Sequence, residues 1–483
     1  MNKIILFELN EVPWRILNDY IEKHPDSALA TVNASAKRFE TISEDKELSP
    51  WVTWPSVHRG VPDRDHTISN FGQHLNEIDA AYPPLWEIIS KHANSVGVFG
   101  SLHTHPLPDD LTHCAFHIPD IFAAGQECFP SSVEPYQQWN LRMSRNSARN
   151  VSTKLPFQET LKFLGSLPNL GIRPQTAVEI GRHILDERKT RWKVTRRRTQ
   201  QVLIAFDVFM KQLQNSRPAF TTFFTNHVAS TMHRYWAARF PGDYDEFGYS
   251  DEWQTTHRHE IEWTLSKFDE MLKRLVEFTS KNTEFQIWIV SSMGQAATQA
   301  KNAALTQLYI DDFDKFMSFF NISSEQYIRK PAMAPRIIVE FNSNSTASRF
   351  QSLSKNIRFS NVSNDSLAPG ENTHLQIKNL GHNVFMIRVP VIQNHNDNTI
   401  AVNDSEMEMQ KLGIRDVNIT DLSGQTAYHI PQGSVMIYSP KQQCRTTPIE
   451  TISALEIAPM VLNNYNIPAP SYMAKTTVGT VFP

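Results

Sequence analysis

The stretch KIILFEL at residues 3–9, followed four residues later by WRILNDYIEKH at 14–24, sets the main constraint on the fold. An almost uninterrupted apolar run can be a strand only where both of its faces are covered. The amphipathic stretch behind it supplies a helix to cover one of them. The pattern recurs. PPLWEIISKHA (83–93), a helix opened by prolines, leads into the strand SVGVFGSL (95–102). AFTTFFTNHV (219–228), FQIWIVSS (285–292), RIIVEF (336–341), NVFMIRV (383–389) and SVMIYSP (434–440) read as further strands, with helices expected over 255–280 and 451–464. The predicted fold class is α/β, a mainly parallel central sheet with helices on both faces.

Residues 135–217 break the alternation: they hold no convincing strand, and they carry the basic run ERKTRWKVTRRR. They are expected to form a helical, basic insertion or cap. It divides a core whose first part is 1–134 and whose second part is 218–483. The basic run reads either as a solvated helix face or as a docking surface for an anionic substrate or partner. The Ser- and Asn-rich region 345–375 reads as an irregular, exposed connection. A net charge of −3 offers no general attraction to nucleic acid, and no 18-residue apolar run is present. Three widely spaced cysteines and an N-terminus without a signal-like apolar segment point to a cytoplasmic protein without a transmembrane segment.

Open parallel sheets bind ligands beyond the carboxyl ends of their strands, so residues there come first. FELNEVPW leaves Glu8, Asn10 and Glu11 at the end of the first strand, and alternation puts Glu8 and Asn10 on one face. PWVTWPSVHRG places Thr53 at a helix start, where free backbone N–H groups favour an anion; the same residue could equally cap that helix. FTNHVASTMHRYW supplies Asn226, His227 and His233, and YHIPQGSVMIYSP supplies His429. His103 and His105 have the spacing of a metal pair, although loop histidines two apart are common.

The order of these segments resembles that of the alkaline phosphatase superfamily, most closely its type I phosphodiesterase/nucleotide pyrophosphatase branch. IILFELNEVPWRIL is similar to the branch's first strand, with Asn10 in the slot of a metal-binding Asp. TWPSVHRGVPDRDHTISN is similar to its nucleophile segment, Thr53 falling on the nucleophile and His66 on a later His. TNHVASTMHRYW resembles an Asp-x-x-x-His segment, with His233 on the His and Asn226 nearest the Asp. IVSSMGQ falls on Ser-Asp-His-Gly, HIPQGSVMIYSP on the strand carrying the last metal His (His429), and residues 449–473 on the closing helix.

The resemblance implies two metals held by three Asp and three His. Carried over by position, this chain offers Asn10, Asn226 and Ser292 for the three Asp and Met293 for one His. A two-zinc site is therefore not expected, whereas a single divalent metal such as zinc on His233 and His429 is compatible with what remains. Thr53, Glu8, His233, His429 and His227 are the candidate catalytic groups, and Asn10, Asn226, Ser292, Gln295 and Trp54 the candidate substrate-binding ones. The favoured reading is an atypical hydrolase or transferase acting on a small anionic ester, a phosphate or sulfate ester or a sugar-linked anhydride. Beside it stand an ordinary metal-dependent phosphodiesterase, with Glu8 in place of Asn10, and an inactive member that binds an anionic glycan, a nucleotide or a protein.

Overall fold

The computed structural model describes residues 2–145, 157–245, 248–298, 306–330, 332, 336–359, 373–389, 399–402, 405–418, 425–442 and 448–479. Strand β1 (Lys3–Leu9) lies in the middle of an eight-stranded sheet. From one edge to the other the strands are Glu450–Ser453, β2 (Lys37–Ile42), Gln432–Tyr438, β6 (Phe285–Val290), β1, β5 (Phe220–Thr225), β3 (Val96–Phe99) and β4 (Cys114–Ile118). Only Gln432–Tyr438 runs against the others, pairing antiparallel with both β2 and β6. The carboxyl ends of β1, β5 and β6 therefore share one edge.

The continuous apolar character of β1 has the expected cause. Ile5, Phe7 and Leu9 enter one core and Ile4 and Leu6 the other, one on each side of the sheet. After β1 the chain turns into helix α1 (Trp14–Lys23), then α2 (Ala28–Ser35); after β2 comes α3 (Pro50–Arg59).

The described part of 135–217 is helical. Its last helix, Arg197–Ser216, lays Leu203, Phe206, Phe209 and Leu213 into the same core as Phe7 and Phe223, so it covers a face of the sheet. The basic run is largely consumed in holding it there. Arg196 chelates Glu260 at 2.8 and 2.5 Å while lying 4.2 Å over the Trp263 ring, Arg197 chelates Glu187, and Arg198 donates to Ser230 Oγ.

RIIVEF and NVFMIRV, expected in the central sheet, lie elsewhere. Ile337–Phe341 and Val384–Arg388 form a separate antiparallel sheet with Tyr327–Lys330 and Gln376–Gly381, over a core of their own that includes Phe316, Val339, Phe350 and Phe385. A tight turn joins two of these strands, with positive φ at Gly381, His382 and Asn383, and no crossover helix intervenes. Such a connection permits only antiparallel pairing. The region read as irregular opens with helix Asn344–Ser354 and strand Ile357–Phe359; 360–372 lie outside the described residues.

Candidate metal centre

Three of the sheet's loops meet at one carboxylate. β1 ends at Leu9, and two residues later the backbone of Glu11 takes a left-handed conformation, φ 61°. A non-glycine residue is held there only where its surroundings fix it. The turn swings the Glu11 side chain away from the direction strand alternation would give it and into a buried position.

Asn10 fixes it there. Its amide nitrogen donates to Glu11 Oε1 (2.7 Å) and to Asn226 Oδ1 (2.8 Å), and its Oδ1 accepts from the buried indole of Trp54 (2.8 Å). Two acceptors and one donor face this side chain, a pattern an amide satisfies and an aspartate cannot. Gln295, on β7 (Gly294–Ala297), donates to Glu11 Oε2 and to the Ala229 carbonyl. β7 pairs antiparallel with Ala427–Ile430, in a register that sets His429 opposite Gln295.

Two imidazoles complete the cluster. His233, on helix His227–Arg239, and His429 bring their Nε2 atoms to 3.1 and 3.3 Å from Glu11 Oε2, with their rings 5.3 Å apart. His233 Nδ1–H donates to the Ala427 carbonyl (2.7 Å) and His429 Nδ1–H to the Leu48 carbonyl (2.5 Å). A carbonyl can only accept, so in each neutral imidazole the lone pair sits on Nε2 and faces the carboxylate. Acceptor facing acceptor demands a positive charge between them, a proton or a metal cation. The electrostatics record that demand. Burial alone would raise the Glu11 carboxyl, but His429 and His233 outweigh it and hold the group well below the usual carboxylate range. Burial would lower His429, and the charge of Glu11 outweighs it and raises the imidazole.

Thr53 is the fourth residue of α3, behind the N-cap Ser49, so it is not the helix cap. Its Oγ1 shares a 2.8 Å hydrogen bond with Ser292 Oγ, just beyond the end of β6. Trp54, next to it, carries the link to Asn10. Met293 is fully buried.

The other candidates lie apart from Glu11. Glu8 is wholly buried and pairs with His58 at 2.8 Å, and it also accepts from Ser101 Oγ. His227 is buried at the start of its helix with no hydrogen-bond partner at either ring nitrogen among the described residues, and burial lowers it to about 3. His103 donates to the Trp51 carbonyl, and His105 faces Glu127 rather than His103. Ser56, three residues after Thr53, bridges His66 Nε2 (2.8 Å) and Asp45 Oδ1 (2.7 Å) in a buried network. Glu11 was not among the candidate site residues. Its signal in the sequence was an acidic residue just after the strand, where alternation no longer predicts direction.

The donor set does not fit a pair of dications. The amide protons of Asn10 point at the two oxygens a second metal would require, and Ser292 and Met293 bring no anionic donor. It does fit one cation. Glu11, His233 and His429 offer one ligand atom each within 4.8 Å of one another. Bonds of about 2.0–2.1 Å in tetrahedral geometry put ligand atoms about 3.3 Å apart, close to the 3.1 and 3.3 Å between Glu11 Oε2 and the two Nε2 atoms. Both histidines already have the Nδ1–H to carbonyl bond that orients metal-bound imidazoles, and Gln295 Oε1 is a buried acceptor without a partner.

No protein-family model matches the chain, and no curated protein matches it in sequence. Among solved structures it aligns with murine ectonucleotide pyrophosphatase/phosphodiesterase 5 as an inactive variant in complex with AMP. The identity is 8%, the alignment covers 98% of this chain and 97% of that one, and the TM-score is 0.42. A second structure of the murine protein aligns at 9% identity over 97% and 96% of the two chains, TM-score 0.42. The human protein aligns at 10% identity over 97% and 96%, TM-score 0.38. Likeness at this level leaves the functional reading to the residues of the site.

Proposed function

We propose that this chain is a hydrolase or transferase of phosphate- or sulfate-type esters, built around a single divalent cation held by Glu11, His233 and His429. The observation that carries the reading is the pair of Nε2 lone pairs turned onto one buried carboxylate oxygen. When bound, the cation would neutralise charge on the ester's oxyanion. Thr53 supplies the hydroxyl that attacks or anchors the transferred group, at the start of a ten-residue helix whose dipole favours negative charge. Ser292 orients that hydroxyl and is the first group along which its proton can move. Asn10 and Gln295 hold Glu11 in its strained turn.

The test is metal analysis of the purified protein, paired with turnover of a panel of aryl phosphodiesters, phosphomonoesters and sulfate esters. About one zinc-class ion per chain is expected, lost in Glu11→Gln, with turnover abolished by chelator and reduced at least ~100-fold in Thr53→Ala. Two ions per chain would return the ordinary two-metal reading. A metal-loaded protein that turns over none of the panel would leave a binding protein.

A further inference from the structure

The carboxylate–imidazole centre meets solvent chiefly at His233. Its side chain is 26% exposed, against 8% for His429 and 3% for Glu11. The inner sides are already occupied: Asn10 and Gln295 hold the carboxylate, and the Leu48 carbonyl backs His429. A ligand that reaches the centre with an anionic head therefore keeps the rest of its skeleton on the side of His233.

Tyr428 stands on that side. Its ring centroid lies 6.4 Å from that of His233 and 4.5 Å from that of His429, in the second case within 25° of parallel. Neighbours along a strand ordinarily send their side chains to opposite faces. Here both rings turn the same way, so the tyrosine is brought back over the centre. Directly across the ladder is Ala296, whose methyl group is too small to cover a phenol ring.

The outcome is the most exposed aromatic side chain among the described residues, at 50%. His429 takes one face of the ring, which leaves the other to solvent. Support of His429 does not account for this placement, because the Leu48 carbonyl and Glu11 already fix that imidazole from both nitrogens. An uncovered aromatic face has apolar area to gain from a flat partner, and stacked rings add to that gain.

We propose that Tyr428 determines specificity at this site: its outward face stacks on a flat apolar group carried by the ester, so aryl-type esters are favoured over alkyl ones. The ester itself rests on the function proposed above.

The experiment measures, by calorimetry, the binding of methylphosphonate and phenylphosphonate to the full chain, with one equivalent of zinc and with chelator. The two probes share an anionic head and differ in the ring alone. Wild type, Tyr428→Phe and Tyr428→Ala are compared, with zinc uptake measured on each. Wild type and Tyr428→Phe are expected to bind the phenyl compound about tenfold more tightly than the methyl one. In Tyr428→Ala that ratio should fall to about threefold or less, with zinc uptake and methylphosphonate affinity unchanged. A ratio near one in wild type, or one that survives Tyr428→Ala, overturns the platform while zinc-dependent phosphonate binding keeps the proposed function. Equal loss of both phosphonates in Tyr428→Ala overturns it too, since the ring would then only support His429. Zinc-loaded protein that binds neither phosphonate removes the platform and the function together. A preference that depends on Tyr428, in a protein that turns over no ester, supports the platform and leaves a binding protein.

Discussion

Asn10 shows how much a single amide decides. Its nitrogen feeds Glu11 and Asn226 while its oxygen takes the Trp54 N–H, so each polar contact has the polarity of an amide and the reverse of a carboxylate's. Asn10→Asp would set three acceptors and two negative charges against one another in a buried space. The expected cost is roughly 3 kcal/mol or more, read from denaturant midpoints. A stable Asn10→Asp protein that takes up a second cation would show instead that this position still serves as a ligand. The same residue marks the limit of what the sequence could show. Histidines 233 and 429 and Thr53 stand out in the sequence because their segments occur in a recognisable order along the chain. Glu11 was passed over for Glu8 because alternation holds only as far as Leu9, and nothing in the letters NEVP announces a left-handed residue. Glu8, which alternation favoured, points into the sheet and finds His58.

Helix α3 carries Thr53 in its first turn and is anchored three residues further on through Ser56 to Asp45. Asp45 also accepts from Ser43 Oγ and from the backbone N–H of Asp63, which fixes the loop that runs to Leu48 and hence to His429. Burial nonetheless pushes the Asp45 carboxyl up to about 6. The folded chain therefore holds this proton where the unfolded chain, with an ordinary Asp value near 3.8, has released it. Stability falls as pH rises from about 4 through 6, and the full cost of the ionised group is present above that. His66, lowered by burial to about 4, works the other way, losing stability as pH falls from 6.5 towards 4. The difference in unfolding free energy between wild type and Asp45→Asn isolates the first effect. Wild type should lose about 2 kcal/mol relative to the variant between pH 4 and pH 6–7. A difference that stays flat over this range would sink the assignment. At this scale the central strands were legible, because strands buried on both faces are continuous apolar runs. RIIVEF and NVFMIRV look the same in composition. NVFMIRV is set apart by its connection, a left-handed turn at 381–383 in place of a crossover helix, a signal three residues long; RIIVEF carries no such mark, since helix Asn344–Ser354 follows it, and its place is set by antiparallel pairing with Tyr327–Lys330 and Val384–Arg388.

The molecule as a whole is built on a central sheet with a core on each face and a smaller lobe with a core of its own. Glu11, His233, His429 and Thr53 lie on loops, helices and a short strand pair around the central sheet, while the smaller lobe packs its sheet over Phe350. Phe350→Ala should cost about 3–5 kcal/mol, and most of the damage should fall on that lobe. Cation uptake at Glu11 is expected to persist; its loss would show that the lobe's core and those of the central sheet are not separable. The three proposed ligands, Glu11, His233 and His429, come from segments separated by 222 and 196 residues of sequence. A nascent polypeptide emerging from the ribosome has its carboxylate early and its first imidazole midway. It cannot enclose an ion until the strand at 427–430 has paired with β7. Cation uptake at the proposed centre would then follow closure of these segments rather than template it, and a bound ion would report that all three have come together.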